Sequence, residues 1–257
     1  ADFTDAIMKD CKLVRANLKQ ASFRGADLAG ADLSGADLTG ADLRDAILVG
    51  VKADLWRTDG ANMEGALTDH RSAGAPVSVM PAADMLGEHA RWCDTGGAEG
   101  QPSVFDGVDL RELRSITGLN LTALSARGAV FYGLDMAGVQ LQGAHLEDAD
   151  LRSANLQGAD LRGARLARAR LNGADMRGAQ LGPLMLAIDR LLPADLTGAC
   201  LRGADLTGAD LRRAVLTGAD LSRSVLHGAQ MRQAELTDAV LAGARGMELP
   251  AAPGAAA

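Results

Sequence analysis

Leu28, Leu33, Leu38 and Leu43 stand five residues apart, and alanine precedes each by two positions at Ala26, Ala31, Ala36 and Ala41. A five-residue step suits neither regular element. On an α-helix each residue turns about 100°, so the leucines rotate by about 140° per step and smear around the cylinder. The recurrent glycines would also cost about 1 kcal/mol each against alanine. On a flat strand an odd period sends successive leucines to opposite faces. The spacing fits a chain that makes one short extended side and then turns a corner. The small and large apolar positions, two apart, then point the same way. Four corners close a coil of about 20 residues, and coils stack at about 4.8 Å with each backbone pairing to the next.

The register runs from Phe3 through Met8, Leu13, Leu18 and Phe23 to Leu48. It then weakens: Ala61-Asn62-Met63 stays in phase, but Ala53 and Thr58 are poor centres. A second array begins near Leu119-Asn120-Leu121 and holds one register to Leu241. Each residue type has a physical reason. Leucine fills the axis and alanine avoids collision inside a narrow square. Asp or Asn before the leucine can bond nearby turn backbone, and glycine suits corners with unusual dihedrals. Aromatic content of 3% agrees with a thin aliphatic core.

The units "ADLSG", "ADLTG", "ANLQG" and "ADLRG" resemble the pentapeptide-repeat family, A(D/N)LxX, over about 1–68 and 119–245. The resemblance implies an all-β solenoid, a right-handed quadrilateral parallel β-helix; the handedness comes from the resemblance alone. The expected organisation is two blocks, 1–68 with about three coils and 105–245 with about six. Between them lies a 69–104 linker, and a Pro/Ala tail over 246–257 is expected to be mobile.

Within the linker, Met85, Leu86, His89, Trp92 and Cys93 fall at helical spacing. Pro81 suits a helix start and Gly96-Gly97 a stop, which predicts one short α-helix over about 82–95. Its apolar side suits capping an open coil end, or else docking a partner. Similar "EHxRW…GG" segments join blocks in proteins that resemble this one. A second irregularity, "LGPLMLAIDRLLPADL" at 181–196, keeps the length register but puts Leu184 and Asp189 where small residues belong. A bulged side or loop is expected, with Leu184, Met185, Leu186 and Leu192 forming a contact patch. Met85 and Trp92 join them as candidate protein-contact residues.

No catalytic, cofactor or metal site is expected. His70, His89, His145 and His227 are scattered, and no HExxH, GxSxG or GxxxxGK[ST] occurs. The aspartates recur in nearly every unit, so they serve the fold rather than an enzyme. Cys11, Cys93 and Cys200 are far apart and odd in number, which reads as free thiols in a reducing cytoplasm. No apolar run is long enough to span a bilayer and no secretory pattern opens the chain. The chain does not begin with Met, which leaves open a piece of a longer protein.

The expected function is a non-enzymatic scaffold for an unknown protein partner. The alternative, implied by the resemblance, is a DNA mimic that binds a type II topoisomerase (DNA gyrase) and protects against inhibitors. Mimicry needs one continuous negative face. With residues 20 apart sharing a face, one row of the second block reads Asp150, Arg170, Arg190, Asp210, Gln230. The row after the centres reads Arg152, Asn172, Leu192, Arg212, Arg232. A third reads Asn155, Asp175, Asp195, Val215, Glu235, an acidic stripe that is broken. Mixed charge argues against a mimic, and against nucleic-acid binding, which wants a basic stripe with stacking aromatics.

Overall fold

The structure is a computed structural model that describes residues 1–69 and 81–247. The chain forms two units, Ala1–Arg71 and Ser72–Ala257.

In the first unit, parallel backbone bridges link residues 20 apart: Asp27 to Ile47, Asp32 to Lys52, Asp37 to Arg57 and Asp42 to Asn62. Four sides therefore make one turn. The unit around Leu28 shows how the backbone is satisfied. Asp27 N–H donates to Ala6 O at 2.9 Å in the preceding coil. Leu28 N–H and Gly30 N–H donate to Ile47 O and Val49 O in the following coil, both at 2.9 Å. Ala31 N–H closes the corner on Leu28 O at 2.9 Å. One N–H remains, that of Ala29, and it donates to Asp27 Oδ1 at 3.1 Å. The aspartate before each leucine thus completes the pairing of its own corner. The same bond recurs from Ser34 to Asp32, Thr39 to Asp37 and Arg44 to Asp42. Each corner needs positive φ at its second turn residue, as Gly30 shows at φ 70°.

Alanine and leucine positions both face inward. Ala26, Leu28, Ala31, Leu33, Ala36 and Leu38 have no solvent exposure. The weak stretch after Leu48 keeps its bridges as far as Leu67. Its poor centres, Ala53 and Thr58, are offset by Val51 and Trp56 at the normally small positions, and both pack against the core. Large and small have changed places, so the interior stays filled.

The second unit carries the same ladder, with two departures from the expected register. It begins earlier than Leu119: Val104 already bridges Ser125 and Asp109 bridges Val130, at an offset of 21. From Ser115, which bridges Asp135, the offset is 20. One extra residue between Leu110 and Ser115 shifts the phase and hides the first sides from a strict five-residue count.

The second departure is larger. From Arg165, which bridges Asp195, to Gln180, which bridges Asp210, the offset is 30. The corner after Leu181 is opened by ten residues that form an antiparallel hairpin, β1 (Leu184–Ala187) and β2 (Arg190–Leu192). The rows expected from a constant step of 20 are therefore wrong beyond this point. Asp150 and Arg170 are followed by Cys200 and Asp220, not Arg190 and Asp210. Asn155 and Asp175 are followed by Asp205 and Val225, not Asp195 and Val215. Arg162 and Gly182 are followed by Arg212 and Arg232. Ten residues are two whole repeat units, so the five-residue phase survives while every row moves by half a turn.

Helix α1 (Ala82–Asp94) opens the second unit's described residues. It ends in a Schellman arrangement: Gly97 N–H donates to Trp92 O at 2.8 Å and Gly96 N–H to Cys93 O at 3.3 Å. The tail residues from 248 lie outside the described residues.

Candidate functional site

Regular coils leave little chemistry free. Their aspartates bond turn N–H groups and neighbouring arginines. Asp42 is held at about 2 by the Arg44 guanidinium, which bonds it at 2.8 and 2.5 Å. Asp175 is lowered by Arg177 in the same way. Among the described residues no His, Cys, Asp or Glu group is arranged to hold a metal ion. No helix of the described residues is long and apolar enough to cross a membrane. The repeat is broken at α1 and at the hairpin, and these two elements carry the residues expected from the sequence as protein contacts.

At α1 the candidate residues turn inward. Leu86 is fully buried with Phe105, Leu110 and Ile116, the first residues of the coil interior, and Met85 packs partly buried against the same cluster. Polar bonds fix the helix in place. Ser103 N–H donates to His89 Nδ1 at 3.0 Å, so His89 Nε2 carries the proton and donates to Thr122 O at 3.2 Å. Asn120 Nδ2 donates to Asp94 Oδ1 at 2.8 Å. Trp92 is half-buried beside His89, with ring centroids 5.9 Å apart. The 95–101 loop folds back over it. Gly100 has φ 76°, and a Cβ there would stand 2.2 Å from Glu88 O, so only glycine lets the loop lie this close.

At the hairpin the candidates divide. Leu184 and Leu192 are half-buried on the corner at Gly163, where an added Cβ would meet Leu184 Cβ at 2.8 Å. Met185 and Leu186 face solvent, at 68% and 48% exposure. Ile188 at 93% and Leu191 at 39% extend this surface and were not among the residues expected from the sequence. Their signal was the pair Pro183 and Pro193, ten residues apart, which brackets a two-residue turn at Ile188-Asp189.

Beside the hairpin base lies a cleft of ≈ 570 Å³. Pro183 and Leu191 form one wall, while Arg212, Arg213 and Arg232 stand on the other. The sequence rows put Arg212 beside Arg232 but missed their place next to Gly182 and Arg162, because the ten-residue insertion moves every later side by half a turn relative to the coils before it. Arg212 is bidentate to Asp210 at 2.8 and 2.7 Å, and Arg162 to Asp160 at 2.9 and 2.6 Å. Arg213 donates from Nε to Gln233 Oε1 at 2.7 Å and, like Arg232, has no carboxylate partner among the described residues. Gly182 leaves the floor open; a Cβ there would come within 2.8 Å of Asp210 Oδ2.

The family profile agrees with this construction. The profile described as Pentapeptide repeats matches in eight copies over 11–50, 144–182, 194–228 and 214–245. Among curated proteins no sequence matches significantly. Similar solved structures include HetL, a pentapeptide repeat protein involved in heterocyst differentiation regulation in a Nostoc cyanobacterium. It is 27% identical, covering 95% of this chain and 88% of HetL, with a TM-score of 0.25. Another is Rfr23 of the cyanobacterium Cyanothece, 25% identical over 50% of this chain and 91% of its own, with a TM-score of 0.28. Full-length QnrB1, a plasmid-mediated fluoroquinolone resistance protein, is 14% identical over 95% and 93%, with a TM-score of 0.31. Coil ladder, aspartate-closed corners and matched profile together place this chain in the pentapeptide-repeat family.

Proposed function

We propose that the chain is a non-enzymatic scaffold that docks a protein partner through hairpin β1–β2, its coils winding right-handed as the family resemblance implies. The carrying observation is the hairpin's apolar surface. Of the nine large hydrophobic residues exposed among the described residues, four (Met185, Leu186, Ile188 and Leu191) lie on this one short element. The rest are dispersed. Clustered exposed apolar groups mark interaction sites more often than single ones do. The coils need nothing from the hairpin, because backbone pairing resumes beyond it at Asp195. The three cysteines are free thiols, which suits the reducing cytoplasm.

The test is partner capture from the source cell, comparing the full chain with a variant carrying Met185→Ser, Leu186→Ser and Ile188→Ser. The expected result is a stoichiometric partner retained by the first and lost by the second at equal melting temperature. Identical captured sets for both would refute the docking role.

Topoisomerase mimicry is the weaker reading. The longest acidic row, Asp135, Asn155, Asp175, Asp205, ends in Val225 and Arg245, and Asp175 is tied to Arg177. The basic cleft interrupts another face. A gyrase supercoiling assay that shows protection from an inhibitor would restore it.

A further inference from the structure

We infer that the groove at the hairpin base binds an acidic segment carrying aliphatic side chains, contributed by the protein partner. This deepens the docking reading and rests on it. The groove has two chemically different walls. Pro183 and Leu191 make the apolar one, and a neighbouring hollow of ≈ 350 Å³ continues it to Pro193. Arg212, Arg213 and Arg232, on two successive coils, make the cationic one. Asp210 neutralises Arg212, and Glu235 lines the far hollow, so the surplus positive charge comes from Arg213 and Arg232. Both are exposed, and guanidinium forks match carboxylates in a bidentate way.

Other occupants fit less well. A small anion would use the arginines and leave the apolar wall wet. A nucleic acid would want stacking aromatics, and no aromatic residue lines either hollow. The basic DNA-binding surface of an enzyme would meet like charge, which is costly at an interface. An acidic segment with leucine or isoleucine between its carboxylates uses both walls and continues onto Met185 and Ile188.

The experiment is fluorescence anisotropy with the full chain and four labelled probes. These are the peptide Glu-Leu-Glu-Glu-Leu-Glu, its lysine-for-glutamate counterpart, an all-polar peptide with serine for leucine, and a single-stranded oligonucleotide. The Glu-Leu peptide is expected to bind at least about tenfold more tightly than the other three and to weaken with salt. The double variant Arg213→Glu, Arg232→Glu should lose about tenfold or more, and Leu191→Ser several-fold. All three sites are exposed, so melting curves should stay unchanged and report intact folding. Several outcomes overturn the inference: no binding of the Glu-Leu peptide, equal binding of the serine peptide, preference for the oligonucleotide, or indifference to both variants. If the inference is overturned while partner capture still depends on Met185, Leu186 and Ile188, the docking reading stands and only the groove fails. If capture fails as well, both fail.

Discussion

Helix α1 and hairpin β1–β2 both interrupt the repeat and both carry apolar residues, yet one turns those residues in and the other turns them out. The difference lies in what each meets. Helix α1 precedes the first coil of its unit, whose described interior begins at Phe105 and Leu110. Leu86 and Met85 cover that end. The hairpin enters mid-array, where Leu161, Leu166, Leu181 and Leu196 already fill the axis with no exposure. No interior vacancy remains, so only its base, at Leu184 and Leu192, finds a surface to rest on. An apolar interruption of a solenoid is a cap at an end and a protrusion in the middle. Apolar content alone does not separate the two; position along the stack does.

The most severe way to break this contrast is to empty the cap. Leu86→Ala should destabilise the second unit by about 2–5 kcal/mol, since a fully buried leucine loses its contacts and leaves a cavity. Urea unfolding followed by circular dichroism measures it. A loss below about 0.5 kcal/mol would mean that α1 does not close the coil.

Next comes the hairpin's seat. Gly163→Ala places a Cβ at φ 66°, 2.8 Å from Leu184 Cβ. Left-handed backbone costs a non-glycine residue about 1–2 kcal/mol, but corners tolerate it elsewhere, as at Ala123 with φ 59°. The collision is therefore expected to act mainly on the hairpin. Faster amide exchange confined to 184–192, with the coils still protected, is the predicted signature. Uniform loss of protection would show that hairpin and coils are not separable.

The cap should also respond to acid. Burial pushes the His89 imidazole below the ordinary histidine range, opposed in part by its bond to Thr122 O. A lowered folded-state value means that the unfolded chain takes the proton first as pH falls. The stabilisation is whole above the unfolded value of about 6.5 and is lost as pH drops through the folded value. The melting temperature of the second unit should fall as the pH drops below the unfolded histidine value of about 6.5, and His89→Gln should flatten that slope. An unchanged slope would remove His89 as its origin.

Much of this was legible in the residues. The five-residue phase gave the coil, because one unit is one side and side-chain size alone separates axis from surface. The aspartates were readable as turn acceptors, which Ala29 and Asp27 bear out. The rows of the second unit were not readable beyond Leu181. An insertion of two units preserves the local phase, so nothing in the pattern shows that Arg212 lies one coil from Gly182 rather than one and a half. The closeness of Arg212, Arg213 and Arg232 to Gly182 and the hairpin base was hidden for that reason. Trp56 was obscured differently: a swap of large and small across two positions looks like decay of the repeat while the interior volume is kept.

The smallest effect on stability is expected at the hairpin tip, and it separates the two interruptions most cleanly. Met185 and Ile188 are 68% and 93% exposed, so Met185→Ser or Ile188→Ser removes almost no buried area. Exposed substitutions of this kind usually shift stability by less than about 0.5 kcal/mol. If urea midpoints stay in place while partner capture is lost, the tip is retained for contact, not for folding. A destabilisation comparable to that of Leu86→Ala would instead show that the tip packs on something in the folded chain. The outward placement of the hairpin, and the docking role with it, would then be untenable.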